Sequence, residues 1–310
     1  MKKHFSLAIA AAALSLSAVA QTLQLTPVIS PAELVKLQGQ VQVLELRADE
    51  EAFLKSRIPG SVRVGYGAFR GPKENPGKLF KLTELAEALG KVGLSPEKPL
   101  VIAHEGLDAT DFGAAARVYW SLKSVGFDQL AILNGGYNAY VAQNLPVVAG
   151  APQVVPTTLS LSFNDAWYAS TDSIRAKLGN QRLLDSRLPE FFAGQAWHGA
   201  ASRPGALPGA DNFAFTAFFD EAVLKPQADV RRIVEANGLD VASTVSYCNT
   251  GHWAATNWFV LSEVAQVPNV SLYAESMVEW SNQGLAMDNV PSAVEFAVLK
   301  TKKWFSGLVN

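Results

Sequence analysis

The chain has 310 residues, of which 49% are hydrophobic and only 17% are charged. This composition predicts a folded globular protein long enough for two domains of ordinary size, and it excludes a disordered chain. The formal net charge is −2 and lysines and arginines form no cluster, so we expect no nucleic-acid partner.

The first twenty residues have the pattern of a secretory signal peptide. Lys2 and Lys3 supply the positive end, residues 5–16 form a short apolar run, and Ala18 to Ala20 read as an A-x-A cleavage site. An uncleaved membrane anchor is the alternative, but the apolar run is short for a membrane span. We therefore expect cleavage after Ala20, a periplasmic protein, and no membrane contact of the mature chain.

The rest of the chain contains an internal repeat. Four segments recur in the same order in the two halves, at offsets between 140 and 149 residues. Strands alternate with helices in each copy, which predicts an α/β fold with two tandem domains, each a mainly parallel sheet flanked by helices. The segments are 41–53, 57–64, 98–126 and 128–140 in the first half, and 181–192, 206–213, 242–266 and 268–280 in the second.

The repeat also predicts the domain borders. A stretch rich in Gly, Pro and Thr separates the two copies and reads as a linker. A tail with helical spacing of apolar residues follows the second copy. The expected parts are the signal peptide at 1–20, the first domain at 21–147, the linker at 148–160, the second domain at 161–285, and a helical tail at 286–310.

The single cysteine of the chain, Cys248, lies between a predicted strand at 239–247 and a predicted helix from His252. Ligand sites commonly form at the carboxyl ends of strands in α/β sheets. Backbone amides curled around a sulfur would stabilise its anion, and Gly251 permits such a tight loop. Because the chain offers no disulfide partner, Cys248 is either an inert buried thiol or a nucleophile, and its position favours the nucleophile.

These segments together resemble the tandem-domain rhodanese sulfurtransferases. The resemblance extends over nearly the whole chain after the leader, and it rests on the acid-x-Arg strand ends, the Pro-Gly turns, the cysteine loop, and the closing stretches NGGYNAY and AESMVEW. It implies two tandem rhodanese-like domains in an exported bacterial member of the family. The first domain is expected to be inactive, since His104 stands where the second has Cys248.

The resemblance further implies an enzyme that transfers sulfane sulfur by double displacement. The Cys248 thiolate would take sulfur from a small anionic donor, become a persulfide, and pass the sulfur to a thiophilic acceptor such as cyanide or a thiol. No cofactor is implied, and four scattered histidines with one cysteine give no metal-ligand spacing. The loop CNTGHW has neither the basic residues of thiosulfate-using relatives nor the pattern CGSGVT of mercaptopyruvate-using ones. The stretch before the second Pro-Gly turn also lacks the arginines of the mercaptopyruvate-using relatives, so we expect a thiosulfate sulfurtransferase.

The expected substrate-binding residues are those of the loop and one arginine before the second Pro-Gly turn. Trp253 is expected to line the pocket. His252 either holds the donor or moves a proton, or it only begins a helix. Arg203 either contacts the donor or is a solvated loop charge. The residues are Asn249, Thr250, Gly251, His252, Trp253 and Arg203.

Asp185 and Arg187 form an acid-x-Arg pair that could be functional or structural. The first copy repeats the pair as Glu45 and Arg47, although that copy lacks the cysteine. A pair retained without the nucleophile is better explained as structural support. We therefore expect Asp185 and Arg187 to stabilise the second domain.

Three other functions were weighed against this hypothesis. Phosphatases of the same fold need a longer loop with an arginine, whereas Trp253 and Ala254 stand there. A non-enzymatic exported sulfur carrier or binding protein remains an alternative, and so does a sulfurtransferase that uses mercaptopyruvate. Turnover with small donors and cyanide separates an enzyme from a carrier.

Overall fold

The structure, a computed structural model, describes residues 23–302 in full and residues 303–309 as backbone. The predicted signal peptide lies outside this range. Two α/β domains follow one another along the chain, as the repeat predicted.

The first domain is built on a five-stranded sheet in which all pairs are parallel. The strands lie side by side in the order β1-β5-β4-β2-β3: β1 (Val28–Ile29), β2 (Gln42–Glu45), β3 (Ser61–Arg63), β4 (Leu100–Ala103) and β5 (Leu130–Leu133). The helices are α1 (Pro31–Lys36), α2 (Glu50–Lys55), α3 (Leu82–Lys91), α4 (Ala109–Lys123) and α5 (Gly136–Ala142), with a 3-10 turn at Tyr66–Phe69.

The second domain has a four-stranded parallel sheet, ordered β11-β10-β6-β7, and a separate antiparallel hairpin of β8 and β9. The strands are β6 (Arg182–Asp185), β7 (Asp211–Asn212), β8 (Phe219–Asp220), β9 (Val223–Leu224), β10 (Thr244–Tyr247) and β11 (Ser271–Leu272). The helices are α6 (Thr171–Ala176), α7 (Pro189–Phe192), α8 (Gln227–Ala236), α9 (Trp253–Phe259), α10 (Ser276–Asn282) and α11 (Ala293–Val309), with 3-10 turns at Asp165–Trp167 and Phe215–Phe218.

The central strands of both sheets are buried along their whole length. β4 reads LVIA and β10 reads TVSY, and all eight residues are buried. Continuous runs of this kind are typical of parallel strands that helices cover on both faces. Each of these strands ends in the loop that the repeat aligns, so the two equivalent loops lie at the carboxyl ends of equivalent strands.

Helices α4 and α9 pack against each other across the boundary between the domains. The rings of Phe112 and Tyr119 on α4 contact Phe259 on α9, with centroid distances of 5.8 and 4.9 Å. Lys123 forms an ion pair of 2.7 Å with Glu263, which lies in the π-helical turn Val260–Val264 that continues α9. Because α9 begins at Trp253, where the cysteine loop ends, this packing turns the loop toward the first domain.

The linker and the tail lie against the two domains. Residues 149–164 form no helix or strand, and the linker amide of Thr157 donates a hydrogen bond to the carbonyl of Gly90. The tail is helix α11, where Phe296 contacts the ring of Trp197 at 5.3 Å. Among residues 23–309, no helix is both long and apolar enough to span a bilayer.

Candidate active site

Cys248 follows β10 directly, and it is 1% exposed. Its backbone N–H donates to Oγ of Ser276 at 3.0 Å, and its carbonyl accepts from the N–H of Met277. Ser276 has a φ of 55°, which lies in the left-handed region that is unfavourable for residues other than glycine. The matching residue of the first domain is Gly136, with a φ of 62°. The second domain thus keeps a serine where the backbone favours glycine, and its hydroxyl fixes Cys248.

The loop after Cys248 leaves its amides available. Within the described part of the chain, none of the N–H groups of residues 249–253 donates a hydrogen bond to another protein group. Gly251 has a φ of 66°, and a Cβ there would collide with the carbonyl oxygen of Ala274 and with Arg117. The loop therefore needs glycine at this position. Five adjacent N–H groups beside a sulfur form a site that favours an anion.

The equivalent loop of the first domain is already filled by a carboxylate. Oδ2 of Asp111 accepts hydrogen bonds from the amides of Gly106 and Leu107, at 2.6 and 3.1 Å, and from Nδ1 of His104 at 2.8 Å. Although burial alone would raise it, the hydrogen bond from His104 holds the pKa of Asp111 below its usual value. At the position of Asp111 the second domain has Ala255, so its loop amides have no such carboxylate.

The acid-x-Arg pair of the second domain lies beneath the loop. Arg187 and Asp185 are both buried and form an ion pair of 2.5 Å. Nη1 of Arg187 also donates to Oδ1 of Asn249 at 3.2 Å, and Nη2 donates to the carbonyl of Gly205 at 2.9 Å. The pair thus connects the sheet, the Pro-Gly turn and the cysteine loop, which fits the structural role expected of it.

Two arginines of the first domain contact the loop from the other side. Nη2 of Arg70 donates to Oγ1 of Thr250 at 2.8 Å, and Nε donates to the carbonyl of Pro76. Arg117 is fully buried, and its Nη1 donates to the carbonyl of Gly251 at 3.3 Å. Burial lowers the pKa of Arg117 to about 10, which leaves it charged at neutral pH. The first domain therefore supplies positive charge at the cysteine loop.

His252 is fixed by the first domain through both ring nitrogens. Nε2 lies 2.8 Å from the carbonyl oxygen of Thr110, which only accepts, so Nε2 carries the proton. Nδ1 then accepts from the hydroxyl of Tyr66 at 2.7 Å. Burial, together with the charges of Arg70 and Arg117, lowers the pKa of His252 to about 4. A neutral ring with both nitrogens bonded favours a positioning role over proton transfer or donor binding.

A cavity of about 400 Å³ opens above Cys248. Among the described residues its lining contains no acidic side chain, and Arg70 is the one arginine or lysine in it. The lining residues are Arg70, Thr110, Phe191, Trp197, His198, Gly199, Cys248, Asn249, Thr250, His252 and Trp253. In the part of the chain that the structure describes, no group of three or more His, Cys, Asp or Glu side chains could hold a metal ion.

The structure brings most of the expected site residues together, but not Arg203. Its guanidinium donates to the carbonyl of Leu285 at 3.0 Å, and it does not line the cavity. Since the side chain is directed to this carbonyl, the proximity of Arg203 to the Pro-Gly turn does not place it near the sulfur. Arg70, which the sequence did not single out, lines the cavity instead.

Comparison with known proteins gives consistent matches over both domains. The family described as "Rhodanese-like domain" matches residues 30–143 and 170–283. A putative thiosulfate sulfurtransferase of Synechococcus elongatus is 27% identical over 82% of this chain and 82% of its own length. A thiosulfate sulfurtransferase of Pseudomonas aeruginosa is 29% identical over 82% of this chain and 94% of its own. The solved structure of the 3-mercaptopyruvate sulfotransferase SseA from Escherichia coli aligns with a TM-score of 0.69 at 22% identity, over 81% of this chain and 99% of that one.

Proposed function

The chain belongs to the rhodanese-like family and is a sulfurtransferase, and we propose that Cys248 carries the sulfur and that thiosulfate is the preferred donor. Two observations carry this proposal. Arg70 and loop residues line one cavity with Cys248, and no N–H group of residues 249–253 donates a hydrogen bond to another protein group that the structure describes. A compact dianion fits such a site because the amides and the guanidinium offset its charge without a second cation.

In the first half-reaction the Cys248 thiolate attacks the outer sulfur of thiosulfate. A bond forms between Sγ and that sulfur while the sulfur–sulfur bond of thiosulfate breaks, and its electron pair leaves with sulfite. Cys248 is then a persulfide anion. The amides of residues 249–253 would stabilise this anion, as they would stabilise the thiolate before it. Charge is conserved, and the step needs no oxidant.

In the second half-reaction an acceptor removes the outer sulfur. Cyanide attacks that sulfur, the bond to Sγ breaks, and the electron pair returns to Cys248 as thiolate while thiocyanate leaves. The persulfide and the thiolate differ by one sulfur atom, so the loop has to accommodate both. Ser276 holds the backbone of Cys248 in place during the cycle.

Mass spectrometry of the intact protein tests this assignment. After exposure to thiosulfate the protein should gain one sulfur atom, and cyanide should remove it. The Cys248→Ser variant should gain none, and a serine variant that still consumes thiosulfate would refute the site. Steady-state turnover with thiosulfate and cyanide separates an enzyme from a carrier that is loaded once. A higher kcat/KM for mercaptopyruvate than for thiosulfate would overturn the donor assignment alone.

We propose in addition that the protein is exported and acts in the periplasm. The support is the leader pattern of two lysines, an apolar run and the A-x-A site ending at Ala20. Expression of the full chain in a Gram-negative host, followed by fractionation and N-terminal sequencing, tests it. We expect periplasmic protein that begins at Gln21. Protein retained in the cytoplasm with its leader intact would refute export.

A further inference from the structure

The lining of the cavity above Cys248 contains two chemically different sets of residues. Arg70 and the loop residues Asn249 and Thr250 are polar, whereas Phe191, Trp197 and Trp253 are aromatic. We call these three residues the aromatic wall. A volume of about 400 Å³ falls in the range of roughly 300–1,000 Å³ that is typical of sites for organic ligands.

The rings of the aromatic wall contact one another and two further rings. Trp253 stacks on Phe215 at a centroid distance of 4.9 Å with an interplanar angle of 13°, and Phe191 meets Trp253 edge-on at 5.5 Å. Trp197 rests on Phe296 of the tail helix α11 at 5.3 Å. Since elements far apart in the chain support each ring, the wall is preformed, and a ligand would lose little free energy in ordering it.

The proposed donor has no use for such a wall. Thiosulfate is compact and doubly charged, and the face of an aromatic ring carries partial negative charge, so ring faces do not stabilise it. Cys248 is the only sulfur nucleophile of the chain, and both half-reactions have to take place in this one cavity. The aromatic wall therefore faces the other substrate.

Building on the proposed function, we propose that the aromatic wall binds the sulfur acceptor, an organic thiol with a flat apolar group and no positive charge. Flat groups stack on tryptophan and phenylalanine. A positive charge is disfavoured because Arg70 lies in the same cavity and, among the described residues, no carboxylate lines it. The thiolate attacks the outer sulfur of the Cys248 persulfide anion, the sulfur–sulfur bond to Sγ breaks with its electron pair returning to Cys248 as thiolate, and an organic persulfide anion leaves.

The test measures the second half-reaction by itself. Cys248 is loaded with sulfur from inorganic polysulfide, desalted, and mixed with an aromatic thiol, 4-(mercaptomethyl)benzoate, or with an aliphatic thiol, 3-mercaptopropionate. Each rate constant is divided by the rate constant for the same thiol with glutathione persulfide, which removes differences in intrinsic reactivity. We expect a preference of about fivefold or more for the aromatic thiol, as one well-packed ring contact would give.

Variants of the wall assign the preference to these residues. The preference is the ratio of the normalised rate constant of the aromatic thiol to that of the aliphatic thiol. In Trp197→Ala and Phe191→Leu this ratio should fall toward one, whereas Trp197→Phe should retain part of the preference. Trp167→Ala, which removes a half-buried tryptophan that does not line the cavity, is the matched control and should keep the full ratio. A wild-type ratio near one, or an unchanged ratio in both wall variants, would overturn the proposal. Because polysulfide supplies the sulfur, a wrong donor assignment would not affect this result, and failure of Cys248 to load would refute the proposed function instead.

Discussion

Nη2 of Arg70 lies 2.8 Å from Oγ1 of Thr250, so a side chain of the first domain is hydrogen-bonded to the cysteine loop of the second. Among the described residues, Nη1 of Arg70 has no hydrogen-bonding partner and is available to an anion in the cavity. The cavity beside Cys248 is therefore completed by a domain that carries no cysteine of its own.

We expect Arg70→Ala to raise the KM for thiosulfate more than it lowers kcat. The guanidinium would contact the donor in the bound ground state and also in the transition state. Its loss should therefore weaken binding of the ground state and of the transition state about equally. Hydrogen bonds to charged groups contribute about 1.5–3 kcal/mol, which corresponds to an increase in KM of about tenfold or more. Steady-state kinetics with cyanide as acceptor measures the effect.

Two further arginine variants control this experiment. Arg70→Lys keeps the positive charge but loses the planar, forked guanidinium. Its KM should therefore lie between those of wild type and Arg70→Ala. Arg203→Ala should change the KM little, because Arg203 is bonded to the carbonyl of Leu285 outside the cavity. If the KM for thiosulfate rose more in Arg203→Ala than in Arg70→Ala, the assignment of the donor-binding cation would be wrong.

Replacing Ser276 by glycine should separate stability from activity. Glycine relieves the strain at a φ of 55°, which for a non-glycine residue costs about 1–2 kcal/mol. It also removes the hydroxyl that accepts from the N–H of Cys248. The same hydroxyl donates to the carbonyl of Tyr273, and leaving its buried partners unsatisfied costs about 1–3 kcal/mol, which offsets the relieved strain. We therefore expect Ser276→Gly to change the Tm little while lowering kcat. Thermal unfolding and kinetics on the same preparation measure both, and a variant with unchanged kcat would show that the hydroxyl has no positioning role.

His252 should make the native protein less stable in acid. Its pKa of about 4 in the folded protein is below the value of about 6.5 in an unfolded chain, so the unfolded chain binds more protons between these values. The contribution of this pKa shift to the free energy of unfolding is fully present above about pH 6.5. It decreases as the pH is lowered from about 6.5 to about 4. Urea unfolding at several pH values should show the advantage of wild type over His252→Gln shrinking with acidification. Parallel pH profiles for the two proteins would contradict the pKa shift.

A cysteine placed in the first domain should remain silent. In a Cys248→Ser background, we expect His104→Cys to take up no sulfur from thiosulfate, because the carboxylate of Asp111 occupies the loop amides. Adding Asp111→Ala, which copies Ala255 of the second domain, should allow sulfur uptake. Mass spectrometry reads out both variants. Sulfur uptake by the variant with Cys248→Ser and His104→Cys alone would show that the first domain lacks only the cysteine.

The sheets and the position of Cys248 at the end of a strand could be predicted from the sequence because their signals are local. The buried runs of β4 and β10 read as strands, and the position of Cys248 after β10 indicated a loop site. The sequence also predicts a helical tail, and the structure has it as α11.

The contributions of the first domain could not be predicted in this way. Tyr66 and Arg70 lie at a 3-10 turn whose sequence carries no signal of a site. They reach the loop only because α4 and α9 pack together, and this packing depends on contacts between residues more than a hundred positions apart. His252 illustrates the same limit, since its partners Tyr66 and Thr110 belong to the other domain.

Asp111 behaves toward its own loop as a tethered competitive inhibitor. A competitor that is part of the chain is not diluted when the protein is diluted, and dialysis does not remove it. High concentrations of a free anion would therefore compete poorly for the first loop, whatever residue stood at position 104. We therefore expect that a first loop able to take up sulfur requires two changes together, at His104 and at Asp111.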